Sequence, residues 1–351
     1  MEYTIFGESH GPAVGVTLTG VPSGLELDMA GLERELSRRA GGRSPLSTAR
    51  REEDRVEVLS GLFQGRTTGT PLTLVIRNAD RRSGDYERLK NLPRPSHGDY
   101  AGWVRYGGFG DYRGGGHFSG RLTAPLTAAG AVAKQLLALR GVWVGAHIAS
   151  IAGIFDAGLD AVRGQRDLLE AAAAKEFPVL DDGAGERMRQ AILEARAQGD
   201  SVGGSIQCAV GGLPAGMGAP DLDENAEGIF ARHLFAVPAV KGLEFGAGFG
   251  LCAMRGSQAN DPFRMEEGRV RTLTNHAGGI NGGITNGMPV VFTAALRPTP
   301  SIAREQDTVD LSSGENARLS VRGRHDPCIV HRAVPVIEAA AALAACQLLR
   351  L

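Results

Sequence analysis

Two spaced patterns occur twice in this chain, in the same order, and that duplication constrains the fold more than composition does. The first is S-x-G, eight residues, then G-x-P-x-G. It falls on Ser9, Gly11, Gly20, Pro22 and Gly24, and again on Ser201, Gly203, Gly212, Pro214 and Gly216. The second, G-x3-G-x-T-x-G-x-P, falls on Gly61, Gly65, Thr67, Gly69 and Pro71, and again on Gly279, Gly283, Thr285, Gly287 and Pro289. Each copy of the first is followed by a helix-like segment: Asp28 is placed to cap one through Leu32 and Leu36, and Asp221 or Asp223 one through Ile229 and Leu234. Each copy of the second leads into a strand-like run, 72–76 and 290–296. An Ala-rich helix with apolar residues at i, i+3, i+4 then closes each half, at about 122–139 and 334–349. A long period repeated only twice is no solenoid. The pattern predicts a single domain over 1–351, built from two pseudo-equivalent halves at about 1–150 and 200–351. A polar, solvent-facing helical excursion at about 160–199 joins them.

Glycine reaches 50 of 351 residues, yet it gathers in short runs between strand-like segments rather than in a collagen or linker pattern. Such glycines suit tight turns and backbone that approaches a ligand closely. A net charge of −1 excludes an indiscriminate nucleic-acid binder. Four isolated cysteines indicate neither a disulfide framework nor a zinc site. The first residues lack the basic and apolar regions of a signal peptide, and the longest apolar runs fall short of the roughly 20 residues of a membrane span. The expectation is a cytoplasmic enzyme with no nucleic-acid or membrane partner and no metal.

Lysine stands only at 90, 134, 175 and 241, so 34 of the 38 basic residues are arginine. Codon bias produces such a skew; fixed guanidinium forks are also what a site for carboxylates and phosphates uses. The acidic and basic run Arg50, Arg51, Glu52, Glu53, Asp54 reads as a salt-bridged surface. Four loop clusters pair an imidazole with small residues and a neighbouring acid or arginine, at 7–11, 94–99, 113–121 and 323–328. Rigid scaffolds place function in such loops. No GxxxxGK[ST], HExxH or G-x-S-x-G is present, and 246–250 lacks the spacing of a dinucleotide fingerprint.

The segments GESHGPAVGVTLTGVPSG, TTGTP, RPSHGDY, DYRGGG, NHAGGINGGITNGMP, RPTPS and GRHDPCIVHRAVPVIEA, in this order from Phe6 to about Glu338, together resemble the chorismate synthase family. The resemblance implies an α+β fold, a β–α–β sandwich with long helices packed between antiparallel sheets, assembled as a homotetramer. It implies conversion of 5-enolpyruvylshikimate 3-phosphate to chorismate and phosphate, a lyase reaction that needs reduced FMN without net redox change, NADPH being a possible reductant.

By the same resemblance His10 is the imidazole that protonates or stabilises reduced flavin, His97 a second proton donor on the phosphate or substrate side, and Asp326 the carboxylate that helps deprotonate the flavin edge. Histidine suits such work because its ordinary pKa of about 6.5 lies near neutrality. FMN contacts map onto His117, Phe118 and Ser119, onto Ala239 beside Lys241, and onto Gly282. They continue through Arg297, Pro298, Thr299, Pro300 and Ser301 to Arg324. Arg39, Arg43 and Arg121 are assigned to substrate or NADP phosphate. The chain departs from the family at His117, where many members have Arg, at Pro45, where a basic residue is usual, and at Arg297, where Lys is common. Two rival functions are a flavin reductase that consumes NADPH on the same scaffold, and a non-catalytic anion-binding scaffold.

Overall fold

Thr67 and Thr285 explain why the two patterns travel together. The Thr67 hydroxyl donates to the Pro22 carbonyl at 2.6 Å and accepts from the Leu25 amide at 3.0 Å, while the Gly24 amide donates to the Thr67 carbonyl at 2.7 Å. In the second half Thr285 bonds Pro214 at 2.7 Å, Met217 at 2.9 Å and Gly216 at 2.8 Å in the same way. Each G-x-P-x-G turn is thus locked by the threonine of the other pattern. Glycine is required where this lock meets the next strand. A Cβ on Gly61 would stand 2.5 Å from Leu72 Cα, and one on Gly279 would stand 2.4 Å from the Pro289 carbonyl oxygen.

A computed structural model describes residues 1–41, 46–47, 54–78, 90–321 and 325–351. One antiparallel sheet runs in the order Glu2–Gly7, Ala13–Thr19, Leu72–Arg77, Val56–Ser60. The second runs Trp143–Ile151, Gly204–Gly211, Val290–Leu296, Val240–Phe245, with the short Ile154–Phe155 on its outer edge. Strands that follow equivalent patterns hold equivalent places in the two sheets. The strand expected at 290–296 has those limits, and that at 72–76 extends to Arg77.

Helices fill the space between the sheets, and the architecture is α+β. Thr123–Ala138 packs on the first sheet and Val330–Leu348 on the second. They touch through Gly130, where a Cβ would lie 2.2 Å from Ala339 Cβ. Their alanines and leucines form one continuous core with both sheets. Buried within it, Glu338 accepts from Arg38 at 2.6 and 2.8 Å, from Lys134 at 2.5 Å and from the Ala146 amide at 3.1 Å. One carboxylate therefore links three helices and a strand.

Asp28 caps Met29–Arg39 as expected, its side chain accepting from the Gly31 amide. Three local expectations are corrected. The helix Ala226–Phe235 is capped by Asn225, not by Asp221 or Asp223, because the Asn225 side chain reaches the Gly228 amide. The last helix starts at Val330, a turn before the apolar pattern, with polar His331 and Arg332 in that turn. The excursion forms Arg166–Ala173 and Asp182–Ala197, and it is not solvent-facing throughout: Leu169, Met188 and Ile192 are buried, and the two helices pack on the strands Trp143–Ile151 and Ile154–Phe155 at the edge of the second sheet.

Candidate active site

The ends of these elements converge on a cavity of about 730 Å³. Its walls come from the loop after the first strand, the segment 94–98, the turn Arg113–Phe118 and the entry to Thr123–Ala138. The opposite wall comes from 235–241, from 297–301 at the end of Val290–Leu296, and from the start of the last helix.

A triple-glycine turn separates the two proposed proton donors. Gly114 and Gly115 take φ of +60° and +87°. A Cβ on Gly114 would stand 2.5 Å from His10 Cδ2, and one on Gly115 would stand 3.0 Å from His97 Cε1. The run DYRGGG thus packs its backbone between imidazoles, and no side chain fits there. His117, beyond the turn, is held by the Gly7 carbonyl at 3.0 Å from Nδ1.

Asp54 organises the basic wall. It is buried, and it accepts from Arg39 Nη1 at 2.6 Å and from Arg121 Nη1. Arg39 also reaches Thr123 at 3.0 Å, and Arg121 reaches Asn78 Oδ1 at 3.0 Å. Burial alone would raise the Asp54 carboxyl, but the two guanidinium groups hold it below the ordinary range. Burial lowers Arg39 to about 10, with Arg332 and Arg121 adding to the effect against Asp54, so Arg39 keeps its charge at neutral pH. The surface reading of the 50–54 run therefore fails at Asp54. Its neighbours in that run lie outside the described residues.

Arg332 donates to Asp326 at 2.7 Å and to the Arg39 carbonyl at 3.0 Å, tying the last helix to the first. Arg94 donates to both oxygens of Asp99 and to Ser301 Oγ at 3.1 Å. Arg297 donates to the Ser96 carbonyl. His325 is pushed down to about 4 by burial and by Arg94, which leaves it neutral. Of eight non-glycine residues with positive φ among those described, three line this cavity: Asp54, Ser96 and Ala239. Each left-handed residue costs about 1–3 kcal/mol and persists only where its surroundings demand it.

The structure brings His10, His97 and Asp326 to one cavity, with Arg39 and Arg121. His117, Phe118, Ser119 and Ala239 line it as well, as do Arg297, Thr299, Pro300 and Ser301. Pro298 is not part of the lining, and Gly282 lies at the tip of the hairpin formed by Ile280–Asn281 and Ile284–Thr285, away from it. Arg43, Pro45 and Arg324 lie outside the described residues. Asp54 is not singled out by the sequence, His325, Arg94 and Asp99 stand in it only as members of loop clusters, and Arg332 lies outside those clusters, in the first turn of the last helix. Asp54 has no signal of its own, whereas Arg94 and Asp99 flank a loop histidine at short spacing. No described group of His, Cys, Asp or Glu is arranged to hold a metal. Among the described residues no helix is long and apolar enough to cross a membrane.

Comparison with known proteins converges on one family. The chorismate synthase family model matches residues 1–349. The chorismate synthase of Aeropyrum pernix is 49% identical over 348 residues, covering 99% of this chain and 90% of that one. That of Thermococcus kodakarensis is 47% identical over 343 residues, covering 97% and 94%. A crystal structure of a chorismate synthase superposes with a TM-score of 0.78 at 28% identity, covering 99% of this chain and 91% of the other.

Proposed function

The chain belongs to the chorismate synthase family, and from that premise we propose that it converts 5-enolpyruvylshikimate 3-phosphate to chorismate and inorganic phosphate by 1,4-anti elimination, with reduced FMN in the same cavity and no net redox change. One observation carries the reading. Among the described residues six cations line the cavity, Arg39, Arg94, Arg121, Lys241, Arg297 and Arg332, around four imidazoles, His10, His97, His117 and His325. Asp54 and Asp326 in the lining, with Asp99 behind it, offset half of that charge. The remaining excess of three offsets most of the charge of a substrate with two carboxylates and a phosphate of about −1.5 to −2.

The residues present also fit a flavin. The Thr299 hydroxyl is buried yet has no hydrogen-bond partner among the described residues, and a polar ligand would supply one. Phe118 offers an apolar ring to the cavity beside His117 and Ser119. These three, with Ala239, Arg297 and 299–301, would hold the cofactor. A volume near 730 Å³ lies within the roughly 300–1,000 Å³ usual for ligand sites. When bound, the chemistry supplied by reduced flavin is the temporary loan of an electron that eases phosphate departure.

The protein's own part is binding and proton placement. Arg39 and Arg121, aligned by Asp54, grip an anionic group of the substrate away from water. His10 holds a proton on the flavin side of the triple-glycine turn, and His97 holds one on the substrate side. Asp326, oriented by Arg332, is the carboxylate available as a proton acceptor.

Anaerobic protein with dithionite-reduced FMN and the shikimate ester, without NADPH, tests this directly. Chorismate absorbance should rise with no net flavin oxidation. Folded protein that yields none overturns the reading.

A further inference from the structure

Asp99 begins the short helix Asp99–Arg105, and its carboxylate turns back onto the loop that carries His97. Its Oδ1 lies 2.6 Å from His97 Nδ1 and accepts from Arg94 Nη2 at 2.8 Å. Its Oδ2 accepts from Arg94 Nε at 2.7 Å and from the Arg94 amide at 3.0 Å. Arg94 Nη2 also stands 3.1 Å from His97 Nδ1. A guanidinium has no lone pair to offer, and a bare Nδ1 would set its own lone pair against a carboxylate oxygen. Both nitrogens are therefore donors converging on one oxygen, and Nδ1 bears the proton.

The surroundings fix this arrangement. Arg94 is anchored to Ser301, and Arg297 to the Ser96 carbonyl, so the 297–301 segment clamps the histidine loop from the far wall. The charged and titratable groups facing the pair are Arg94 in the same loop, Arg297 and His325 from the packed segments, and Asp326 beyond His325. Burial pushes the Asp99 carboxyl up, yet hydrogen bonds from Arg94 and His97 hold it well below the ordinary range. With Nδ1 engaged, the Cε1–Nε2 edge of His97 lies beside Gly115, where a Cβ would come within 3.3 Å of Nε2.

We propose that Asp99 is a positioning residue: it keeps a proton on Nδ1 of His97 and turns Nε2 toward the substrate, so that a second proton taken up by the ring sits on Nε2. The proposal rests on the elimination reading given above. As the C–O bond to phosphate breaks, its electron pair leaves with the phosphate. The Nε2–H bond then breaks, its proton passes to a phosphate oxygen, and Nε2 regains a proton from solvent before the next turnover. The device resembles the role of the buried aspartate in serine-protease triads, which holds one imidazole tautomer without itself taking the proton.

Imidazole ¹⁵N spectra of the full-length resting protein, with the His97 signals identified by their loss in His97→Gln, read the tautomer without any turnover. The wild type should carry the His97 proton on Nδ1, and Asp99→Asn should move population to Nε2–H. In chorismate assays Asp99→Asn should lower kcat by about 10²-fold, within the range of general acid–base effects, with KM changing far less. Asp99→Glu should restore part of the rate. A neutral wild-type imidazole protonated on Nε2 overturns the proposal, as does an Asp99→Asn variant with wild-type rate. Should Asp99→Asn fail to fold, the wild-type spectrum and Asp99→Glu decide. A wild type that makes no chorismate sinks the elimination reading instead, while the spectra still judge Asp99.

Discussion

Gly114 lies so close to His10 that a β-carbon on it would stand 2.5 Å from Cδ2 and 2.7 Å from Nε2 of the ring. Its φ of +60° adds a second demand for glycine. Gly114→Ala should therefore displace the imidazole as well as strain the turn. The left-handed conformation alone costs about 1–2 kcal/mol, which leaves the protein folded. Turnover should drop at least roughly tenfold, since a misplacement of about 1 Å near the chemistry can cost 10²-fold. Wild-type kcat in a variant of measurably lower denaturation midpoint would contradict the packing argument.

Removing either imidazole tests the division of labour across that turn. His10→Ala and His97→Ala should each slow chorismate formation by roughly 10²–10⁴-fold. FMN binding, followed by its absorbance change, should survive in both. Normal rates in either variant would refute the role given to that ring.

Arg121 has two jobs, and they separate by substitution. Arg121→Ala strands Asp54 in a buried site with Arg39 as its remaining ion-pair partner. Breaking a buried pair in this way costs about 3–5 kcal/mol. Arg121→Lys keeps the charge but loses the fork that reaches Asp54 and Asn78 together. The Lys variant should stay folded and raise KM roughly tenfold, about 1.4 kcal/mol of lost binding. An effect confined to kcat would argue against a substrate-gripping role.

Gly130→Ala sets helix propensity against packing. Alanine gains about 1 kcal/mol over glycine in a helix. Here its Cβ would meet Ala339 Cβ at 2.2 Å and Ala339 Cα at 2.3 Å, so the two central helices must part. Overpacking of that kind costs about 1–3 kcal/mol, and packing should win. Urea unfolding should show a lower midpoint. A stabilised variant would mean that the crossing is looser than the structure has it.

Acid should loosen the core through Glu338. Burial raises its carboxyl, but Arg38 and Lys134 overcome this and hold it well below its ordinary 4.5. A depressed folded-state value gives stability that is present above the unfolded value and lost as pH falls toward the folded one. Wild-type stability should thus decline from about pH 4.5 downward. Glu338→Gln leaves Arg38 and Lys134 with Glu35 as their carboxylate partner, so it should be less stable at pH 7 by about 3 kcal/mol, the lower end for a broken buried pair. The gap between the proteins should narrow below pH 4.5. A constant gap from pH 7 to 3 would show that this carboxylate is not the titrating group.

What the sequence determined by itself is what short-range chemistry decides. Turns that need glycine, threonines placed to lock them, an aspartate ahead of an amphipathic helix and a strand limit at Leu296 all follow from neighbours within a few residues, and the duplication doubled each signal. His10, His97 and Arg121 were legible as candidates because they stand in loop motifs. Asp54 was not. Inside a run of alternating charges it looks like its solvated neighbours, and only the meeting of Arg39, fifteen residues before it, with Arg121, sixty-seven after it, makes it a buried hub. The same holds for Arg94 and Ser301, joined across two hundred and seven residues, and for the neutral state of His325. Burial, charge state and hydrogen-bond partners depend on which distant chain segments exclude water together, and no local period in a sequence encodes that.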